Sequence, residues 1–169
     1  VANAIRAQEL GALVVDLNFG CPAKTVNRHD GGASLLQYTD RLYNIVKAVR
    51  DAVPKSTPVT AKIRLGYDNP TACIANAEAI EAAGADWLTV HCRTKTDGYK
   101  PPAYWEWIVK IKEITKIKIV TNGEIWTLDD FNKCDSIADT GHYMIGRGAL
   151  RDPFLFKKIK NTANTFEAK

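Results

Sequence analysis

One cysteine occupies a position where its thiol could take part in chemistry. Cys21 lies in the run Asn18-Phe19-Gly20-Cys21-Pro22, in which an apolar segment ends at Asn18 and a glycine lets the chain turn sharply. Pro22 stiffens the loop that would present the thiol. A thiol in such a loop can act as a nucleophile, as a general acid or as inert packing, and free cysteines are most often packing. The residues alone leave these three roles open.

Polar and charged side chains also stand at the ends of five apolar segments, namely Asn18, Arg64, His91, Asn122 and Arg147. Lys62 lies two residues before Arg64, so both side chains point to the same face of an extended segment. Two cations on an inward face are costly to bury unless an anion or an acceptor meets them. The pattern therefore predicts a polar ligand near these side chains.

The segments that carry these residues alternate between strand and helix patterns. The predicted strands cover residues 13–18, 59–64, 87–91, 117–122 and 143–146, and each is short and rich in β-branched residues. Such composition is typical of buried parallel strands. Strands that alternate with helices indicate right-handed βαβ units and a parallel sheet.

Helical spacing fills the gaps between the strands, with recognisable start and stop signals. Asp40 is predicted to cap a helix that ends near Pro54. A second helix is predicted to open at Asn69-Pro70 and to stop at Gly84. The spacing Thr127-x-x-Asp130 resembles a capping box at the start of a third helix.

Five strands could form a small doubly wound sheet or part of a larger barrel. The polar residues at the strand ends favour the α/β fold of a (β/α)8 TIM barrel, because a barrel gathers those ends around one mouth that holds the active site. A full barrel takes about 250 residues, whereas this chain has 169. We therefore expect residues 1–169 to form a single partial TIM-barrel catalytic domain with the last five β/α units. The first three strands would precede Val1.

Composition narrows the class of protein and of partner. The chain is 46% hydrophobic and 25% charged, as ordinary globular domains are, and its net charge of +4 mildly favours a polyanionic partner. No apolar stretch has the length of a membrane span and no leader is visible, so no membrane association is expected. The four cysteines form no C-x-x-C pair, which predicts no metal site and a reducing, cytoplasmic location.

The loop that contains Cys21 has a longer pattern, N-x-G-C-P-x-K-x-V-N followed by G-x-x-L-L. It resembles the active-site signature of the tRNA-dihydrouridine synthases. Later blocks agree in order and spacing: Lys62-Ile63-Arg64, His91-Cys92-Arg93-Thr94, Asn122-Gly123-Glu124-Ile125 and Met144-Ile145-Gly146-Arg147-Gly148. The resemblance extends from about residue 10 to about residue 155.

This resemblance implies an FMN-dependent oxidoreductase that reduces the C5–C6 double bond of a uridine in tRNA. Reduced FMN would deliver hydride to C6, Cys21 would deliver a proton to C5, and NADPH would supply the electrons. The words Gly-Glu-Ile-Trp and Arg-Leu-Gly-Tyr-Asp most resemble the bacterial C-type branch, which modifies position 16 in the D-loop. Relatives also carry a C-terminal helical domain that grips tRNA, and we expect a monomer at full length.

The resemblance also implies roles for the other site residues. Asn18, Arg64 and Tyr99 would contact the substrate, and the flavin would be held by Lys62, His91, Asn122, Gly123, Glu124, Gly146 and Arg147. Plainer roles remain open: a turn-stabilising amide for Asn18, a salt bridge at the barrel mouth for Arg64, and an exposed loop position for Tyr99. Several cations in loops at the same mouth could meet tRNA phosphates, namely Lys24, Arg28, Lys95 and Lys100.

Two other functions are compatible with the same fold. An FMN barrel could reduce a small enone or a free pyrimidine, as dihydroorotate and dihydropyrimidine dehydrogenases do. A barrel that has lost its flavin could bind RNA without catalysis. The joint presence of Cys21, Lys62, His91 and Arg147 argues against that last reading.

Overall fold

Five parallel strands in sequence order form one sheet. The computed structural model describes the backbone of residues 1–167 and the side chains of residues 1–161. The strands are β1 (Val15–Asn18), β2 (Val59–Arg64), β3 (Trp87–His91), β4 (Lys118–Asn122) and β5 (Tyr143–Met144), and each pairs with the next. Their register places Asn18 beside Lys62, Arg64 beside His91, and His91 beside Asn122. The predicted parallel sheet is thereby confirmed.

Helices follow the strands, as βαβ units require. They are α1 (Ala2–Glu9), α2 (Lys24–Asn27), α3 (Thr39–Ala52), α4 (Ala72–Ala82), α5 (Glu106–Ile114), α6 (Leu128–Ala138), α7 (Arg147–Arg151) and α8 (Leu155–Glu167), with a 3-10 helix at Gly32–Gln37. Within residues 1–167, none of these helices has the length and apolar character needed to span a bilayer.

Two strands match their predicted bounds, and three are shorter. β2 and β3 cover residues 59–64 and 87–91 as predicted. β1 begins at Val15 because its ladder starts opposite Val59, and the preceding Pro58 has no N–H to donate. β4 starts one residue late, at Lys118. β5 ends at Met144 because the residue paired with it, Asn122, is the last of β4.

Most of the predicted helix start and stop signals are confirmed. Thr127 and Asp130 form the predicted capping box, and Gly84 follows the end of α4 with φ +88°. The predicted cap at Asp40 is wrong: α3 begins at Thr39, so Asp40 lies in its first turn, where its charge favours the helix dipole. The helix after Asn69 begins only at Ala72, because the Asn69 side chain first forms a turn by accepting the Thr71 N–H.

The two faces of the sheet differ in character. One face packs under the helices with fully buried side chains such as Ile63 and Val90. Three of the cysteines lie in this core, as free cysteines most often do: Cys73, Cys92 and Cys134. Burial raises the pKa of the Cys73 and Cys134 thiols to about 12. The alternate positions of the strands carry polar side chains, and that polar face leads to the candidate site.

Candidate active site

A cavity of about 310 Å³ opens where β2 to β5 end. Most of the predicted site residues line it, namely Lys62, His91, Tyr99, Asn122, Gly123, Glu124, Gly146 and Arg147. Unpredicted neighbours complete the wall: Ile125, Trp126, Met144, Ile145 and Gly148. The predicted Asn18, Cys21 and Arg64 are not part of this lining and lie on the β1 and β2 side. The structure thus separates a cavity from a neighbouring Cys21 loop.

Lys62 brings a cationic group into the cavity. Its Nζ donates to Asn122 Oδ1 at 3.2 Å, and Asn122 Nδ2 in turn donates to the Met144 carbonyl at 2.7 Å. Burial, and next the charge of Arg64, lower the pKa of Lys62 to about 8. The contact with a neutral amide does not balance an ammonium charge, so the side chain is suited to meet an anionic or strongly accepting ligand.

His91 is a buried, neutral imidazole in the same cavity. Burial lowers its pKa to about 3, with further contributions from the nearby charges of Arg64, Lys62 and Arg93. Its Nε2 lies 3.4 Å from an Arg93 guanidinium nitrogen, and the Tyr99 ring meets it edge-on with 6.1 Å between ring centroids. A neutral imidazole can offer one hydrogen-bond donor and one acceptor to a ligand.

A buried ion pair supports the loop after β4. Arg93 is 0% exposed and pairs with the Glu124 carboxylate, while its Nε donates to the Pro102 carbonyl at 3.1 Å. Trp126 Nε1 donates to Glu124 Oε1 at 3.0 Å. The Glu124 side chain is therefore engaged within the protein. Arg93, which no predicted role covered, stands out in the sequence only as a charge directly after the strand-end His91-Cys92.

Arg147 lies against two aromatic rings at the cavity wall. Its guanidinium carbon is 4.6 Å from the Tyr99 ring centroid and 4.8 Å from that of Trp126. Aromatic contact occurs on the faces of a planar guanidinium, so it is compatible with N–H donation in the plane to a phosphate. No site role is predicted for Trp126, although it directly follows the Gly-Glu-Ile block.

Two glycines at this wall have different surroundings. A Cβ built at Gly146 would meet nothing within 4 Å, so the position faces open space. A Cβ at Gly148 would lie 2.1 Å from the Ile125 carbonyl oxygen, so α7 packs directly on the loop after β4. Gly146 leaves room at the cavity, and Gly148 brings the two loops together.

The Cys21 loop is fixed by the 3-10 helix and by Asn27. The Cys21 carbonyl accepts from Asn27 Nδ2 at 2.8 Å and from the Ala33 N–H at 3.0 Å. A Cβ at Gly32, which has φ +59°, would come within 3.0 Å of the Cys21 Cβ. The thiol is half-buried and unpaired with another cysteine. The loop therefore presents a reduced thiol from a defined backbone.

Arg64 joins the Cys21 loop to the loop that carries Tyr99. It is 2% exposed, its Nε donates to the Gly20 carbonyl at 2.9 Å, and one terminal nitrogen donates to the Thr94 and Gly98 carbonyls at 2.9 and 2.8 Å. These partners are carbonyls rather than the carboxylate of the anticipated salt bridge. Its guanidinium also lies 5.2 Å from the Tyr99 ring centroid. Its contact with substrate stays a prediction.

For Asn18 and for Tyr99, the structure is compatible with both the predicted substrate contact and the plainer role. Asn18 Oδ1 accepts the Gly20 N–H at 2.9 Å, which is the turn-stabilising role, and its NH₂ end remains for another acceptor. Tyr99 is 53% exposed, yet it lines the cavity and contacts Arg64 and Arg147. Among the described residues, no three His, Cys, Asp or Glu side chains are grouped to hold a metal ion.

Solved structures with a similar backbone show the fold. A dihydrodipicolinate synthase from Agrobacterium tumefaciens, a TIM barrel, superposes with a TM-score of 0.55 at 14% identity and covers 91% of this chain and 43% of its own. The 6-hydroxypseudooxynicotine amine oxidase of Pseudomonas geniculata N1 gives a TM-score of 0.66 at 18% identity over 94% of this chain and 27% of its own. The predicted partial (β/α)8 barrel is thus confirmed as a fold.

Sequence comparison identifies the family. The chain is 55% identical over 157 residues to the "tRNA-dihydrouridine(16) synthase" of Pseudomonas syringae pv. tomato, covering 93% of this chain and 50% of that protein. It is 52% identical over 164 residues to the protein of the same name from Shewanella oneidensis, covering 97% and 52%. The chain therefore spans about half the length of these relatives. A family model described as "Dihydrouridine synthase (Dus)" matches residues 1–169, and the chain belongs to the dihydrouridine synthase family.

Proposed function

We propose that the full-length protein reduces the C5–C6 double bond of a uridine in tRNA, at the position 16 that the names of its relatives specify. The observation that carries this proposal is the convergence of Lys62, His91 and Asn122 with the glycine loops in one cavity beside the Cys21 loop. Such an oxidoreductase needs a site for a flavin and an acid that protonates the reduced base. The cavity would supply the first and the Cys21 loop the second.

The cavity residues fit FMN as the cofactor. Lys62 holds a partly buried cation whose partner is a neutral amide, and a reduced flavin carries negative charge near N1 and C2=O. Gly146 leaves open space, and Arg147 offers in-plane donors for a phosphate. Bound FMN, reduced by NADPH, would supply the hydride for uracil C6. Glu124 would contribute through its backbone, since its carboxylate is engaged by Arg93 and Trp126.

Cys21 would act as the general acid. Its thiol proton moves to uracil C5 as hydride reaches C6, and the thiolate left behind takes a proton back from solvent. Asn18 would donate from its NH₂ end to a uracil carbonyl, and Tyr99 would stack on the base. Arg64 fixes the separation of the Cys21 loop and the Tyr99 loop through their carbonyls. The proposed acid and the proposed stacking ring therefore lie on two loops that Arg64 connects.

The remaining organisation follows from the same proposal. Residues 1–169 would be part of one barrel domain whose other strands, and a helical domain that grips tRNA, belong to the rest of the protein. We propose a monomeric cytoplasmic enzyme, with NADPH as electron donor and without a metal. Its substrate is a tRNA rather than a free pyrimidine.

Replacing the proposed acid tests this function. Cys21→Ala in the full-length protein should retain flavin and its reduction by NADPH, yet form dihydrouridine in tRNA about 10²–10⁴-fold more slowly, the contribution of a general acid. The readouts are the flavin absorption spectrum and dihydrouridine content of a tRNA that lacks the modification. Near-normal turnover would exclude Cys21 as the acid. Reduction of free uracil or orotate by the wild type, with tRNA unchanged, would favour a small-molecule reductase.

A further inference from the structure

A second cavity, of about 490 Å³, lies apart from the cavity that contains Lys62 and His91. It is lined by Lys24, Asn27, Arg28, Tyr67 and Lys95. We call these five residues the basic pocket. They come from the three connections that follow β1, β2 and β3, with Lys24 and Asn27 in α2, so the pocket lies on the same rim as Cys21. Backbone hydrogen bonds join two of those loops: Lys95 N–H donates to the Gly66 carbonyl, and Thr96 N–H to the Tyr67 carbonyl.

The basic pocket concentrates positive charge. Three of its five lining residues are cations, and none is acidic. Two nearby carboxylates are engaged elsewhere, since Asp97 accepts from the Thr94 N–H and Asp30 pairs with Arg41, and Asp68, which follows Tyr67, is not part of the pocket lining. Lys95 is oriented by Tyr67, with its Nζ 3.0 Å from the Tyr67 hydroxyl and 4.4 Å from the ring centroid. Clustered cations without a protein counter-ion are suited to an external anion.

The pocket is directly connected to the loop of the proposed acid. Asn27 lines the pocket and donates through Nδ2 to the carbonyls of Cys21 and Ala23, at 2.8 and 2.9 Å. Lys24 and Arg28 lie on the same short segment, three and seven residues after Cys21. The basic pocket therefore borders the loop that a base would approach to reach Cys21.

We propose that the basic pocket binds a backbone phosphate of the RNA next to the nucleotide that is reduced. This inference rests on the proposed function, because the RNA is its substrate. The ligand chemistry is a phosphodiester, recognised by Lys24, Arg28 and Lys95. Its position beside Asn27 places that phosphate one hydrogen bond from the Cys21 backbone. The alternative source of a phosphate, the NADPH nucleotide, is distinguished by the test.

The test uses the full-length enzyme with the double variant Lys24→Ala/Arg28→Ala. Because the variant removes two charge-assisted contacts, the Kd for tRNA should rise at least about tenfold at 0.1 M KCl. The slope of log K against log salt should become shallower by about 0.7, the value for one phosphate of a single strand. Flavin content and the KM for NADPH should not change. Lys24→Arg/Arg28→Lys should restore tRNA binding.

A matched control is Lys55→Ala, which removes an exposed cation in the segment before β2, at the opposite end of the sheet. The proposal is overturned if the double variant binds tRNA like Lys55→Ala, if its salt slope is unchanged, or if the KM for NADPH rises instead. Binding is measured without turnover. If the wild-type protein binds tRNA through the basic pocket but forms no dihydrouridine, the proposed reaction is refuted and the proposed phosphate site is still supported.

Discussion

At the scale of single residues, Lys62 shows most clearly that the site is arranged for a ligand rather than for stability. Its ammonium group is partly buried against a neutral amide, and its pKa falls to about 8. The folded chain therefore holds this proton less tightly than the unfolded chain, in which the pKa is about 10.4. The charge costs stability below pH 8, and the cost is relieved as the pH rises from about 8 to about 10.

Removing the charge should remove that pH dependence. In the flavin-free full-length protein, Lys62→Met should raise the free energy of unfolding at pH 7. The free energy of unfolding should also increase less between pH 8 and 10 than in the wild type, because the contribution of Lys62 to that increase is gone. Urea unfolding at several pH values measures both quantities, and Lys55→Met serves as the exposed control. An unaltered pH profile in Lys62→Met would show that the ammonium is not penalised in the fold. Flavin binding should weaken in the same variant.

Arg147 is predicted to hold the cofactor without taking part in the chemistry. Arg147→Ala should weaken FMN binding, because a charge-assisted phosphate contact is lost, while the flavin that remains is reduced and reoxidised normally. Flavin titration and single-turnover rates separate the two effects. If flavin retention stayed normal and only tRNA affinity fell, Arg147 would belong to the RNA surface.

Residue types and spacing could predict the cavity residues but not their partners. Lys62, His91 and Asn122 stand at strand ends, and parallel strands bring such ends together. Glu124 is predicted to help hold the flavin, and the ion pair of its carboxylate with Arg93 could not be predicted because it depends on how two loops pack. The substrate contact of Arg64 stays a prediction, and its hydrogen bonds to main-chain carbonyls are ones that periodicity does not reveal.

At the scale of elements, the strand and helix pattern was readable because apolar periodicity reports burial directly. The central strands β2, β3 and β4 have neighbours on both sides, and their bounds match the prediction except for one residue at the start of β4. The outer strands β1 and β5 were predicted too long, because their ends depend on the length of a single neighbouring strand. Asp40 illustrates the same limit for helices, since an acidic side chain two residues after the N-cap Tyr38 has the residue type of a cap.

The contact between α7 and the loop after β4 gives a prediction for a pair of glycines. Gly148→Ala should destabilise the full-length protein by about 1–3 kcal/mol, because its Cβ would overlap the Ile125 carbonyl. Gly146→Ala should leave the free energy of unfolding nearly unchanged but lower the affinity for flavin, since its methyl group would enter open space at the cavity. Chemical denaturation and flavin titration of both variants provide the comparison. Equal stabilities would contradict the packing argument.

At the scale of the whole molecule, the sheet formed by the described residues has two unpaired edges, β1 and β5. Apolar side chains are exposed near both ends of the described chain, with Leu13 90% and Leu150 85% accessible. Open edges and uncovered apolar surface favour association with other chains. Both are the features that further barrel strands and helices would cover.

Residues 1–169 produced alone should therefore associate or precipitate. They should also bind FMN weakly and reduce no tRNA, because the cavity would lack the wall that the remaining strands supply. Size-exclusion chromatography and flavin titration measure this, with the full-length protein as control. A monomeric piece that melts cooperatively and binds FMN tightly would mean that the eight-strand barrel is the wrong description of the whole.

The hydrogen bonds of Arg64 have a consequence for how this rim can change over time. Arg64 holds the Cys21 loop and the Tyr99 loop by main-chain oxygens of Gly20, Thr94 and Gly98. A carbonyl is present whatever side chain its residue carries. Side chains elsewhere in these loops can therefore be exchanged without undoing the attachment, whereas Gly98, with φ +60°, is the position where a side chain would be strained. The spacing between Cys21 and Tyr99 can thus be inherited while the loops around them change.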